Sequence, residues 1–314
     1  KALAVLGETA PTLHRYPDGG AFRLRGALAE RWKVTSDHVI LGNGSDEILG
    51  LLARTFLSPG DEAVMAEHTF VIYKMEEKAA HGVAVEVPQK NWRHDLPAMA
   101  AAITDKTRLL FVCNPNNPTG TMATKAEVAA LMARVPDHVV VVFDEAYYEY
   151  VRHPEFPESL SYVNAGRNGI VLRTFSKIYG LAGLRIGYGM TTPEITNYLN
   201  RIRPPFNANS MAQRAALAAL DDEAHVGASR ALNHAEMDKV RTGLLTLGFE
   251  ALPSETNFLY FDVGRDGREV FDALLRKGII VRHIDGRMLR VTIGLPEENQ
   301  LFLSALADVT RAAR

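Results

Sequence analysis

A lysine in an apolar, glycine-rich setting is the residue of this sequence with the clearest chemical potential. Lys177 follows Ser176 and the apolar, β-branched run at residues 170–174, and the segment after it, up to Gly187, holds three glycines and Arg185. A surface lysine in a turn has polar neighbours, whereas these flanks are apolar and allow close backbone approach. We therefore interpret Lys177 as a candidate amine nucleophile of the kind that forms Schiff bases.

Two further strand-like runs end in polar loops. Asn117 lies in the loop NPNNPTG after the run LLFVC, and Asp144 and Tyr147 follow the run VVVVF. In open α/β sheets, ligands bind in the crevice at the carboxyl ends of the strands. We therefore expect these three side chains to meet Lys177 at one sheet edge, although each alone could be an ordinary turn, cap or core residue.

A glycine loop at residues 42–47, with the sequence GNGSDE, precedes a helical pattern. It narrowly misses the dinucleotide-binding fingerprint, because Glu47 replaces the third glycine, and it lacks the Lys-Ser/Thr pair of a P-loop. Ser45 is the predicted N-cap of the helix, whose first N–H groups could hold one phosphate group. Asp46 and Glu47 oppose an anion there unless a cation such as Arg185 offsets them.

Strand-like and helical patterns alternate with short links up to about Met190. Such alternation with all-apolar strands predicts a mostly parallel central sheet with helices on both faces. Beyond it the pattern predicts a smaller α+β domain. The predicted division is an N-terminal arm at 1–20, a large domain at 21–220 and a small C-terminal domain at 221–314. The predicted strands are residues 39–41, 63–66, 83–87, 109–113, 139–143, 170–174, a strand from 186, and 258–261, 279–282 and 289–293.

Composition excludes several classes of partner. The net charge of the 314 residues is −2, so neither nucleic acid nor an anionic membrane is expected as a partner. The apolar runs are far too short to span a bilayer, and the first residues lack a signal-peptide layout. Cys113 is the only cysteine, which suits a reducing compartment, and we expect a cytoplasmic location. No His, Cys or further carboxylate lies at ligand spacing from Asp144 and Glu145, so no metal is expected.

Together, the loop NPNNPTG, the pair Asp144-x-x-Tyr147 and the segment TFSKxxGLAGLRxGY resemble the pyridoxal-phosphate (PLP) aminotransferases of fold type I, class I/II. The resemblance extends from Tyr16 to the final helical pattern. Within that group, the segments HRYPDGG, GNGSDEI, SKIYGLAGLRIGY and PFNAN are most similar to the histidinol-phosphate aminotransferases. The family also carries an Asn-Glu-Asn-Pro segment that helps to cover the active site, and no such segment occurs in this sequence.

The resemblance implies roles for the residues around the cofactor ring. Lys177 would form the Schiff base with PLP and, once displaced by the substrate amine, act as the general base. Asp144 would pair with the protonated pyridine nitrogen and keep the ring cationic. Asn117 and Tyr147 would hydrogen-bond the ring's 3′ oxygen, and Phe70 would stack on the ring in place of the family's frequent tyrosine.

The resemblance also implies a site for the cofactor phosphate. Ser45 and Asp46 at the helix start would hold it, together with Ser176 and Arg185. Tyr16 matches a tyrosine that reaches the phosphate of the neighbouring subunit, which implies a homodimer.

Two arginines carry the implied substrate specificity. Arg282 and Arg290 lie on strand-like segments at positions that match anion-binding residues of the family. Arg290 suits the α-carboxylate of glutamate through a bidentate fork, and Arg282 suits a substrate phosphate, although one site could serve both anions. Asn117 would contact the substrate as well, and Asn207 and Asn209 are predicted to line the same pocket. The implied reaction moves an amino group between histidinol phosphate and 2-oxoglutarate.

Three alternatives remain open at the level of sequence. An aromatic amino-acid aminotransferase would use the same scaffold without a second anion site. A non-catalytic PLP-fold sensor domain would accompany a helix-turn-helix or basic region, and none occurs in this sequence. A dinucleotide-dependent oxidoreductase would require the intact glycine fingerprint.

Overall fold

The computed structural model describes residues 1–311 and contains a central sheet of seven strands. The strand order is β1-β7-β6-β5-β4-β2-β3. Neighbours from β3 through β6 pair in parallel, and β7 pairs antiparallel with both β1 and β6. The prediction of a mostly parallel sheet is therefore confirmed. The strands are β1 Val39–Gly42, β2 Glu62–Ala66, β3 Val83–Val87, β4 Thr107–Cys113, β5 Val140–Asp144, β6 Gly169–Thr174 and β7 Gly187–Thr191.

Helices cover both faces of this sheet, as predicted. Successive strand residues point to opposite faces, so the sheet divides the apolar residues around it into two separate cores, and β7 contributes to only one of them. The helices α2, α5, α6, α7 and α9 pack in one core, and α3, α4 and α8 in the other. The helices are α1 Ala2–Thr9, α2 Phe22–Trp32, α3 Ser45–Phe56, α4 Ile72–Ala79, α5 Leu96–Ala101, α6 Lys125–Met132, α7 Leu160–Asn164, α8 Pro193–Ile202, α9 Ser210–Leu220, α10 Glu223–Thr246, α11 Gly267–Arg276 and α12 Pro296–Arg311.

A second sheet follows α10 and has three antiparallel strands in the order β8-β10-β9. Its strands are β8 Phe258–Asp262, β9 Arg282–Asp285 and β10 Met288–Thr292. Side chains of α10, α11 and α12 form a third apolar core against it. This arrangement is α+β, as expected, while the domain division near residue 220 stays a prediction.

The predicted strand at residues 279–282 is wrong in its position. The backbone N–H of Ile279 donates to the Leu274 carbonyl (3.0 Å) and closes the end of α11. Ile279 and Val281 are buried without being part of a strand. The apolar pattern therefore reflects packing rather than pairing, and β9 begins only at Arg282.

Two helix starts differ from the sequence prediction. The predicted arm contains α1, which packs against α9 through contacts that local sequence does not reveal. Ser45 is the first residue of α3 rather than its N-cap, which is Gly44 with a φ of 82°. This positive φ favours glycine, and a Cβ there would also force the Arg185 guanidinium to move, since Nη2 would lie 2.4 Å away. The Ser45 side chain makes no cap hydrogen bond. Thr124 and Glu127 form a capping box at the start of α6.

Within residues 1–311, none of the helices has both the length and the apolar character needed to cross a bilayer.

Candidate active site

The carboxyl ends of β4, β5 and β6 lie side by side and border one cavity. The cavity contains most of the side chains that the sequence predicted for a site, together with Cys113, Ala146 and Thr174, which it did not predict. The lining residues are Ser45, Asp46, Phe70, Cys113, Asn117, Asp144, Ala146, Tyr147, Thr174, Ser176, Lys177 and Arg185. Among residues 1–311, no three His, Cys, Asp or Glu side chains are grouped so that they could hold a metal ion.

Lys177 projects from a tight turn after β6. Its carbonyl accepts the N–H of Gly180 (2.9 Å), which folds the chain back directly after the lysine. The Nζ atom lies 5.3 Å from the centroid of the Tyr147 ring. Burial lowers the pKa of Lys177, and the charge of Arg290 lowers it further. A larger share of the amine is then neutral at a given pH, which is the form that acts as a nucleophile or base.

Asp144 is the last residue of β5, and its carboxylate is almost fully buried. Oδ2 accepts a hydrogen bond from the Tyr73 hydroxyl (2.6 Å), and Oδ1 accepts one from the backbone N–H of Ala146 (3.2 Å). Desolvation raises the pKa of Asp144 to about 6. No Lys or Arg of the described chain forms an ion pair with it, so the site offers a negative group that a bound cationic N–H would complete.

Tyr73 is a site residue that sequence reasoning missed. It lies on α4, it is fully buried, and its ring stacks on Phe111 at 4.5 Å between centroids. The ring of Phe70 meets it edge-on at 5.6 Å. In the sequence, the only indication of a role for Tyr73 is its position three residues after Phe70. That spacing is the same for a hydrogen-bond donor to the site and for an aromatic residue of the core.

An anion cradle lies at the start of α3. Arg185 reaches Oδ2 of Asp46 and Oγ of Ser176, both at 3.4 Å. Backbones approach closely here, since a Cβ at Gly187 would lie 2.4 Å from the backbone nitrogen of Ser45. Arg185 itself has a φ of 55°, an unusual conformation that directs its side chain across the loop. The helix N-terminus and this guanidinium together suit a phosphate group.

Arg290 extends from β10 to the edge of the cavity. Its Nη1 donates to Oδ1 of Asn117 (2.5 Å), and its guanidinium lies 4.6 Å above the Phe258 ring. Arg282 stands directly opposite Arg290 on β9, so both cations lie on one face of the sheet. Arg282 is exposed and does not line the cavity. The structure thus places one arginine at the cavity and the second beside it.

Three predicted residues lie elsewhere. Asn207 donates to Leu41 O (3.0 Å) and to the Glu47 carboxylate (2.5 Å), and Asn209 caps α9. Their amides therefore have structural partners, and the expectation that they line the pocket is not met. Tyr16 is 81% exposed, stacks on Phe206 at 4.8 Å, and lies outside the cavity of its own chain.

Glu149, a buried carboxylate behind the site, gives a testable pH dependence. Desolvation raises its pKa from 4.5 to about 7, while Arg173 acts in the opposite direction. The folded state then holds this proton more tightly than the unfolded chain, so stability falls as pH rises from about 4.5 to 7. The loss is about 3 kcal/mol. We expect the free energy of unfolding of Glu149→Gln, measured by chemical denaturation, to fall less than that of wild type between pH 4.5 and 7.

The control for this measurement is Glu158→Gln, because Glu158 is exposed. It is expected to keep the wild-type slope between pH 5 and 8. A wild-type slope in Glu149→Gln as well would contradict the predicted proton uptake at Glu149.

The sequence of this chain is similar to those of known aminotransferases. The family model described as aminotransferase class I and II matches residues 3–306. The histidinol-phosphate aminotransferase of Moorella thermoacetica is 51% identical over 313 residues, which is 98% of this chain and 81% of that protein. Histidinol-phosphate aminotransferase 2 of Pseudomonas fluorescens Pf-5 is 49% identical, over 100% of this chain and 86% of that protein.

The same comparison holds at the level of structure. The crystal structure of histidinol-phosphate aminotransferase from Sinorhizobium meliloti, in complex with pyridoxal-5′-phosphate, superposes with a TM-score of 0.95 at 29% sequence identity. The match covers 100% of this chain and 87% of that one.

Proposed function

From the premise that this chain belongs to the class I and II aminotransferase family, we propose that it transfers an amino group between histidinol phosphate and 2-oxoglutarate, using PLP as its cofactor. The enzyme class and the cofactor follow from the family match over residues 3–306 and from the PLP-bound structural relative. The donor substrate follows from the relatives at about half identity over nearly the whole chain.

The residues at the cavity fit PLP. Asp144 is a buried carboxylate whose pKa is raised by desolvation, and a protonated ring nitrogen would supply a cationic partner for it. Arg185, with Ser45 and Ser176 at the α3 cradle, would hold the phosphate. The amine of Lys177 would bind the aldehyde carbon. When bound, PLP supplies the electron sink that makes the substrate's Cα–H acidic.

Side chains of the protein then accept the substrate's Cα proton and orient the ring. Lys177 is the one amine that lines the cavity, and its lowered pKa favours the neutral form that can accept the Cα proton. Such positioned acid–base catalysis contributes roughly 10²–10⁴-fold. Asp144 keeps a negative charge beside the ring nitrogen, and Asn117 and Tyr147 would orient the ring's oxygen. Phe70 would form one wall that excludes water from the ring.

The paired arginines on β9 and β10 are the structural feature that supports the substrate assignment made from the relatives. Two guanidinium groups on one sheet face, with Arg290 bonded to Asn117 beside the cavity, suit a substrate with an anionic group. An aromatic amino acid would need only one of them, for its carboxylate. Histidinol phosphate has no carboxylate, and its phosphate would use Arg290 with Arg282.

The test is a comparison of amino donors with 2-oxoglutarate as acceptor. We expect kcat/KM for histidinol phosphate to exceed that for phenylalanine and for histidinol, which lacks the phosphate. Arg282→Gln should narrow the preference for histidinol phosphate over histidinol. Clearly faster turnover of phenylalanine would instead assign the chain to the aromatic aminotransferases.

We further propose that the active form is a cytoplasmic homodimer in which Tyr16 reaches the partner's cofactor phosphate. Tyr16 is exposed and stacks on Phe206, which is itself 43% exposed, so this aromatic pair is available to a second copy. The one cysteine, Cys113, is buried and free, which is compatible with a reducing compartment. Cell fractionation tests the location.

Subunit mixing tests the shared site. We expect Tyr16→Ala and Lys177→Ala to be nearly inactive as homodimers, because each damages both sites. Random exchange of the two would form one intact site in each heterodimer, and half of the dimers would be heterodimers. Activity should therefore recover to about a quarter of wild type. The double variant Tyr16→Ala/Lys177→Ala mixed with wild-type protein supplies the control for exchange, because its heterodimers have no intact site and activity should fall from about half to about a quarter of wild type. No recovery in the exchanged mixture of the two single variants would contradict a shared site.

A further inference from the structure

Behind the lysine turn lies a buried ion pair that none of the proposed chemistry uses. Arg173 is on β6, and its Nε and Nη2 both donate to Oε2 of Glu145, at 3.1 and 2.7 Å. The two side chains are only 5% and 1% exposed. Arg173 precedes Thr174, which lines the cavity, and Glu145 follows Asp144. Because strand residues alternate between faces, the ion pair lies on the face opposite the cavity.

Aromatic rings hold the guanidinium of Arg173 from two sides. It lies 4.0 Å from the Trp32 centroid and 3.4 Å from the Tyr148 centroid. Trp32 in turn donates its indole N–H to the hydroxyl of Tyr188 (3.2 Å), which is the residue directly opposite Arg173 on β7. The ion pair therefore connects α2, the end of β5, β6 and β7 at one fixed point.

The chain on the other side of Lys177 reaches the same cluster. Tyr179 is buried, its ring lies 4.9 Å from that of Phe175, and the Phe175 ring lies 5.6 Å from that of Tyr188. The lysine turn is therefore fixed before Lys177 by Arg173 and after it by the Tyr179 ring. Within residues 1–311 the Tyr179 hydroxyl itself has no hydrogen-bond partner.

We propose that the Arg173–Glu145 ion pair positions Lys177 relative to Asp144, so that Arg173 and Glu145 are positioning residues of the reaction. This inference rests on the proposed function of Lys177 and Asp144. Glu145 is covalently next to Asp144, and its backbone N–H donates to Leu172 O of β6 (2.9 Å), so a shift of the pair moves both strand ends. A buried ion pair contributes little net stability compared with an apolar pair of similar volume. The ion pair therefore serves here to hold the two strand ends in a fixed position rather than to stabilise the fold.

The test uses the double variant Arg173→Met/Glu145→Leu, which replaces the ion pair by apolar groups. The pKa of the buried Glu149 rises further without Arg173, so this carboxyl remains as its neutral, protonated form. The pH midpoint of the visible absorbance of PLP bound at Lys177 reports the electrostatic surroundings of that nitrogen. A displacement of about 1 Å between two charges in contact changes their interaction enough to move this midpoint by about half a pH unit. The same displacement should lower kcat about 100-fold.

A folded double variant with a wild-type midpoint and kcat would overturn the proposal. Arg173→Lys decides the same question should the double variant not fold, because it keeps the charge and loses the two-bond fork and the ring stacking. We expect it to shift the midpoint in the same direction, and a wild-type midpoint in this variant would count equally against the proposal.

The matched control is Tyr179→Phe, which removes a hydroxyl from the same cluster and keeps the ring. It should leave the midpoint and kcat unchanged, and an equal shift in this variant would show that the cluster responds to any change and would overturn the specific role of the ion pair. Failure of the proposed function is separately visible, because wild-type protein would then take up no PLP at Lys177.

Discussion

Lys177→Ala is expected to abolish transamination, with a loss of at least about 10⁴-fold in kcat. The variant removes the one amine that lines the cavity, and with it both the covalent attachment and the base that accepts the substrate proton. Within residues 1–311 Nζ has no hydrogen bond or ion pair, so its removal should not damage the fold.

Two measurements separate this prediction from unfolding or poor cofactor uptake. Reduction with borohydride followed by peptide mass analysis should attach PLP to the Lys177 peptide of wild type and to no peptide of the variant. Lys125→Ala, which removes an exposed lysine, should behave as wild type in both assays. A Schiff-base absorbance band that survives in Lys177→Ala would refute the assignment of this lysine.

Asp144→Asn is expected to lower kcat/KM about 10³-fold. Asparagine keeps the size of the side chain and an oxygen that can accept the Tyr73 hydrogen bond, so the main change is the lost negative charge. Two opposite charges in contact near a protein surface interact by about 4 kcal/mol, which corresponds to about a thousandfold in rate when it is lost from the transition state. Tyr73→Phe is the milder control and should cost about tenfold.

The same variant makes a prediction for cofactor-free protein, where the sign is opposite to that of an ordinary aspartate. Desolvation raises the pKa of Asp144 from 3.8 to about 6, so the folded state binds this proton more tightly than the unfolded state. Its contribution to stability is full below pH 3.8 and falls by about 3 kcal/mol as pH rises to 6. In denaturation experiments, the free energy of unfolding of Asp144→Asn should not show this contribution to the fall between pH 3.8 and 6. An unchanged slope would show that Asp144 does not hold a proton in the folded protein.

Addition of PLP should reverse the behaviour of wild type over this pH range. A protonated ring nitrogen beside Asp144 favours the carboxylate and lowers its pKa. The stabilisation by PLP should therefore grow as pH rises from about 4 to 6 in wild type, and it should change less in Asp144→Asn.

The α/β architecture was predictable because burial on both faces leaves a local signature. The strands around Val142 and Ile170 are buried at every position and mostly apolar, and such runs alternating with helical periodicity indicate a parallel sheet. The polar residues that follow these strands could be assigned to one edge for the same reason. The direction of the strands alone predicts that Lys177, Asp144 and Asn117 meet, and the structure places all three in one cavity.

The features of the site that could not be predicted from the sequence depend on contacts between distant segments. Tyr73 was indistinguishable from a core aromatic until the fold brought its hydroxyl to Asp144, 71 residues away. Ser45 matched an N-cap, but the chain takes a positive φ at Gly44, which favours glycine as the cap residue, and Ser45 lines the cavity instead.

Sequence alone therefore determined the mostly parallel sheet, the common edge at which three of its strands end, and the chemical groups at that edge, because these depend on periodicity and chain direction. The tertiary structure decided how those groups are held. Arg173 and Glu145 are 28 residues apart, and nothing in their local sequence marks them as partners. Their pairing becomes favourable only when β5 and β6 lie side by side and exclude water, since a buried charge then requires the opposite charge beside it.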